Sequence, residues 1–67
     1  MIYKVSYVVA GKPHLGAIAN LDAPPRVGDW VQLGEEVVEV IEVIDLIPPR
    51  EDFAYLHVTC RPLQEAA

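Results

Sequence analysis

Cysteine is almost missing from this chain: Cys60 is the single thiol in 67 residues. No disulfide can close within one copy, so the staple that many small secreted scaffolds rely on is excluded. A lone thiol with no leader-like segment leads to the expectation of a reducing, cytoplasmic setting. Ser6, Thr59 and Asn20 are the sole residues of their kinds, a usage that fits a thermophile or a GC-rich genome equally well. No apolar run approaches the roughly 20 residues that a membrane-crossing helix needs. Basic residues are few and scattered, five against ten acids, for a net charge of −5. Phosphate backbones and anionic membranes are bound by clustered Lys and Arg, so the balance argues against both partners. No catalytic signature, metal-ligand cluster or phosphate loop can be picked out.

What is present is aliphatic. Apolar residues make up 52% of the chain, a little above the roughly 45–50% of ordinary domains. A chain this short buries only about 60% of the surface its unfolded form exposes. Small scaffolds make up the shortfall with disulfides, a metal or a partner copy. With the first excluded and no ligand set for the second, a homodimer is the expectation. The densest stretch is Val37-Val38-Glu39-Val40-Ile41-Glu42-Val43-Ile44-Asp45-Leu46-Ile47, in which seven of eleven residues are Val or Ile. Residues 35–52 also hold seven acids against the single Arg50, a solubilising face that could also steer a basic protein partner.

The pattern predicts a mostly β domain over residues 1–63 and a frayed tail over 64–67. Tyr3, Val5, Tyr7 and Val9 alternate with Lys4 and Ser6 as a half-buried strand requires. A turn at Gly11-Lys12-Pro13-His14 leads to a second alternating stretch, Leu15 to Leu21, making a hairpin. Pro24-Pro25 marks a loop, Trp30 to Leu33 a short third strand, and Gly34-Glu35-Glu36 a second turn. The aliphatic segment follows as the fourth strand, Pro48 to Asp52 as a loop, and Phe53 to Cys60 as the fifth. Glu39, Glu42 and Asp45 sit three apart, which would align them on a helix. The Val and Ile content favours a strand, with a bulge or bend near Ile41-Glu42 turning all three acids outward. A partly helical 37–47 is the alternative.

The phrase Val27-Gly28-Asp29-Trp30-Val31, followed by Val38-Glu39-Val40-Ile41-Glu42-Val43, resembles the small SH3-like barrels. The resemblance covers residues 24–47 and, more loosely, the first hairpin. It implies a five-stranded antiparallel SH3-like barrel. It implies no function, because such barrels serve unrelated roles, and the chain lacks both the aromatic groove of peptide-binding SH3 domains and the basic strip of RNA-binding barrels.

Few residues invite chemistry. His57 and Cys60 are three apart on a strand and so point to opposite faces; neither a zinc site nor an activated thiol follows. His14 reads as a solvated turn residue. Trp30 reads as the core pillar of the barrel or, failing that, an interface anchor. No cofactor, metal or catalytic residue is expected. The expected function is a non-catalytic, self-associating interaction module whose surface includes Trp30, Val40, Ile41, Val43 and Tyr55. The alternatives are a nucleic-acid-associated barrel and a small-anion-binding protein. In the latter, Arg26 and Arg50 form a clamp, a pairing suggested by the echo of Pro24-Pro25-Arg26 in Pro48-Pro49-Arg50.

Overall fold

A computed structural model describes residues 1–63; the tail expected over 64–67 lies outside the described residues. Five strands form one curled, mixed sheet, a half-barrel. They are β1 (Ile2–Val9), β2 (Ala17–Leu21), β3 (Trp30–Leu33), β4 (Glu36–Arg50) and β5 (Phe53–Pro62), with a 3-10 turn at Pro13–Leu15. The spatial order is β2-β1-β5-β4-β3. The expected β1–β2 hairpin is present, with Val5 opposite Ala19, although Leu15 belongs to the 3-10 turn rather than to β2.

The sheet is not purely antiparallel. β1 and β5 run parallel, from Ile2 opposite Phe53 to Val9 opposite Cys60, while β4 is antiparallel to both β3 and β5. The reason is connectivity. The loop after β2 carries the chain to the far side of the sheet, and two hairpins bring it back so that β5 lies beside β1. Short-range alternation is readable from sequence, but the direction of a non-local partner is not.

Alternation places Val5, Tyr7 and Val9 of β1, Val38 and Val40 of β4, and Ala54, Leu56, Val58 and Cys60 of β5 on one face. Leu33 of β3 joins them, and Tyr3, Leu21, Val31 and Val43 pack at the margin. Each fully buried Val contributes about 1.5–3 kcal/mol over leaving it exposed. A single sheet has no second layer to cover this face, so it must curl to enclose it.

The aliphatic segment is strand throughout, which overturns the helical alternative, and it continues through Pro48-Pro49-Arg50 where a loop was expected. Register shifts fall between Val40 and Glu42, between Asp45 and Ile47, and between Ile47 and Arg50. The first is the anticipated bulge: it brings Glu39, opposite Arg61, and Glu42, opposite Thr59, to the same outer face. Asp45 departs from expectation. It lies opposite the buried Leu56, on the phase of the core face, yet is itself exposed.

The two prolines fit because of what they oppose. The carbonyl of Cys60 accepts from the N–H of Ala10, on the β1 side. Alternation then turns the backbone groups of Val58, Leu56 and Ala54 toward β1 as well. Pro48 and Pro49 stand beside Ala54 in the ladder, where β5 asks for no donor, so their missing N–H groups cost no bond to β5.

Turn chemistry sets the phase of β3. Arg26–Asp29 is a tight turn in which the Asp29 N–H donates to the Arg26 carbonyl (3.0 Å) and the Arg26 N–H donates to Asp29 Oδ2 (2.9 Å). Gly28 supplies the left-handed φ of +96° that the turn requires. At the β4–β5 tip the same region is occupied by Glu51, at φ +53°, where a side chain is strained by about 1–2 kcal/mol. Open space surrounds the Cβ position of Gly28, so Gly28→Ala should lower stability through the backbone alone, by about 1–2 kcal/mol. Glu51→Gly should raise it, by about 1 kcal/mol or less once the entropy of glycine is counted. Urea unfolding midpoints that move the other way in either variant would refute these turn assignments.

Candidate functional site

β4 is much longer than the strand beside it. β3 covers only Glu36 to Glu39. The Arg26–Asp29 turn covers one residue more: Gly28 donates to the Val40 carbonyl, and Val40 donates to the Asp29 carbonyl, both at 2.8 Å. From Ile41 to Arg50 the strand has β5 on one side and, among the described residues, no strand on the other. Fifteen residues at about 3.3 Å each let β4 run the whole length of the molecule, which measures 45 × 18 × 16 Å. The outer part of the β4–β5 hairpin is therefore an arm with an open edge.

That arm is apolar. Ile41, Ile44, Leu46 and Ile47 are 42–54% exposed, and Phe53, next to the tip, is 41% exposed. On the outer face Ile44 lies opposite His57 and Ile47 opposite Tyr55. The row continues across β5 to Ser6 and Lys4 of β1, with the Lys4 ammonium 5.7 Å from the centre of the Tyr55 ring. Large aliphatic side chains side by side on an open edge are what protein contact surfaces present.

The expected surface residues divide. Ile41 is exposed, and Val43 and Tyr55 are half-buried. Val40 is fully buried and cannot touch a partner: it precedes the bulge and faces the core. Trp30 is no pillar of the core, being 71% exposed. A four-residue strand whose inward positions are Val31 and Leu33 leaves Trp30 on the outside, opposite Glu39. It stands at the opposite end of β4 from the tip. Leu46 and Ile47 enter the sequence reading only as members of the aliphatic strand 37–47; the shortness of β3 is what reveals that their edge is open.

Arg26 and Arg50 are not brought together. Arg26 opens the turn docked on Val40, whereas Arg50 is at the arm's tip, opposite Phe53. Ten residues of strand separate these points, on the order of 30 Å of contour, so they form no clamp within one copy. Among the described residues the ion pairs are Lys12–Glu36 at 3.1 Å and Arg61–Glu39 at 2.8 Å. Both are solvent-facing and each is worth about 0–1 kcal/mol. A depression of about 470 Å³ lies beside Trp30, Glu35, Glu36, Val37 and Leu63. Of its two acids, Glu36 is already held by Lys12.

His57 and Cys60 occupy opposite faces of β5, half-buried and buried respectively. No group of three or more metal-ligating side chains occurs among the described residues, and none of the helices described there is long and apolar enough to cross a membrane. The chain matches no family model, no curated protein and no solved structure.

Burial pushes the Cys60 thiol above its ordinary 9.0. Tyr7 is raised above 10.0 first by burial and then by negative charge at Cys60 and Asp29. Both groups are held neutral in the folded state. Their contribution to stability is full below the unfolded values and is lost as pH climbs through and beyond them. Stability should therefore fall from about pH 9 upward, and Cys60→Ala should flatten the onset of that fall. A urea midpoint independent of pH between about 8 and 10.5 would contradict the burial of both groups.

Proposed function

We propose that this protein is a non-catalytic interaction module that associates with a second copy of itself through the β4–β5 arm. The observation that carries the reading is the uncovered arm: Ile41, Ile44, Leu46 and Ile47 are exposed together on a strand edge with no partner strand among the described residues. About half of each of these side chains is still exposed in one copy, and removing that remainder from water is worth about 25 cal/mol per Å². The strip is short, which places the contact in the weak class below about 1,200 Å² of buried surface.

A nucleic-acid role fits poorly. Lys12 and Arg61 are already paired with acids, and Arg26 and Arg50 are ten strand residues apart. An anion-binding role loses its clamp for the same reason. The likeness to SH3-like barrels, carried by the Val27–Val31 phrase and a small curled sheet, adds no function of its own.

Sedimentation velocity across a concentration series should show a monomer–dimer equilibrium. Leu46→Lys should shift it at least tenfold toward monomer while leaving thermal stability within a few degrees, since an exposed position away from the core changes stability little. A chain that stays monomeric at every concentration would sink the reading, as would a Leu46→Lys variant that dimerises unchanged.

A further inference from the structure

An edge strand normally pairs with another strand through its backbone, and β4 is poorly built for that. The Cys60 carbonyl bonds toward β1, so Thr59 and His57 face β4, and Glu42 and Ile44 answer them. Only Val43 and Asp45 then turn their backbone groups to the open side. Bulges at Ile41 and Leu46 bracket this short stretch, and Pro48-Pro49 brings no donor. Such features blunt edges against continuous sheet growth. A partner on this edge must be held by side chains and by charge.

Charge fixes the arrangement. The open edge has a stop at one end, where the Arg26–Asp29 turn is docked on Val40, and a tip at the other, Arg50-Glu51-Asp52. An antiparallel copy can slide along the edge until its tip meets that turn. At this stop the arms overlap fully, over residues 41–50, with the twofold axis between Asp45 and Leu46. The acidic tip pair Glu51 and Asp52 of each copy then lies beside Arg26 of the other, and Arg50 lies beside Glu42. Neither Arg26 nor Arg50 has an ion-pair partner among the described residues of one copy. Sliding further drives the tip into the turn, and sliding less leaves the arginines unanswered and the aliphatic strip half covered.

We infer that two copies dock antiparallel, arm against arm at full overlap, with Arg26 of one facing Glu51 and Asp52 of the other. Resting on the self-association proposed above, this inference names its register and its charge code. Ile41, Ile44, Leu46 and Ile47 of both copies form the apolar centre. The two arginines that cannot meet in one chain each meet acids across the twofold. Asp45 and its symmetry mate lie close to the axis, a repulsive term that keeps the contact weak.

Charge reversal tests the code. Arg26→Glu should weaken dimerisation roughly tenfold, because each dimer contains the pairing twice and attraction becomes repulsion at both. Adding Glu51→Lys and Asp52→Lys to that variant should restore it, and Asp45→Asn alone should tighten it. Leu46→Cys should form a disulfide-linked dimer under mild oxidation, whereas Ile18→Cys, on the far edge strand β2, should not. A dimer indifferent to Arg26→Glu, or one that the compensating lysines fail to restore, would overturn this arrangement and leave self-association standing. Absence of any dimer in the unaltered protein would remove both.

Discussion

The parallel pairing of β1 with β5 is the constraint from which the remaining architecture follows. With β5 at the centre and β1 beside it, β4 must close the other side of β5, and β3 must follow β4 outward. β2 and β3 become the two edges, joined only through the Pro24-Pro25 loop. Val58 and Cys60 of β5 are then flanked by inward residues of both neighbours, in the rows Tyr7–Val58–Val43 and Val9–Cys60–Val40. One face of one sheet supplies the whole core, and the sheet curls to keep it dry.

The same order leaves β4 exposed. Its neighbour β3 is four residues long, limited by the glycine turn before it and the Gly34 turn after it, where φ is +64°. β5 is ten residues long and keeps pairing to the tip. The mismatch creates an arm that is half-satisfied: bonded to β5, open on the other side and rich in isoleucine. An arm of this kind would seed indefinite strand addition if it were flat and regular. The bulges, the two prolines and the acids Glu42 and Asp45 remove that danger. The features that let a sticky strand exist safely are thus also the ones that direct any partner to use side chains instead of the ladder.

Much of this was legible in the residues. Alternation located β1, β3 and β5, and the three-residue spacing of Glu39, Glu42 and Asp45 called for a bulge or bend near Ile41-Glu42, where the ladder slips between Val40 and Glu42. The inward set of β5, ending in Cys60, followed from simple parity. What was hidden depends on pairs distant in sequence. Parallel β1–β5 pairing leaves no local trace. Pro48-Pro49 reads as a loop until its ladder position beside Ala54 shows that no donor is missed. Trp30 reads as core because of its size, yet its parity is fixed by the Arg26–Asp29 turn, which ends one residue before it. Size is a weaker guide than phase in a strand with only two inward positions.

The arginines carry the last step. Their matching Pro-Pro-Arg contexts suggested a common site, and one chain sets them apart along the full length of the open edge. A long edge with a positive charge at each end, one beside the acidic tip and the other behind Ile41, has no internal use for either. Antiparallel symmetry gives both a use, since it sets the tip acids Glu51 and Asp52 of one arm against the turn that carries Arg26 in the other. A parallel copy would bring acid to acid and arginine to arginine along the same edge. The polarity of the arm, more than its hydrophobicity, therefore decides the orientation of the pair. Hydrophobic area alone favours contact without choosing a register.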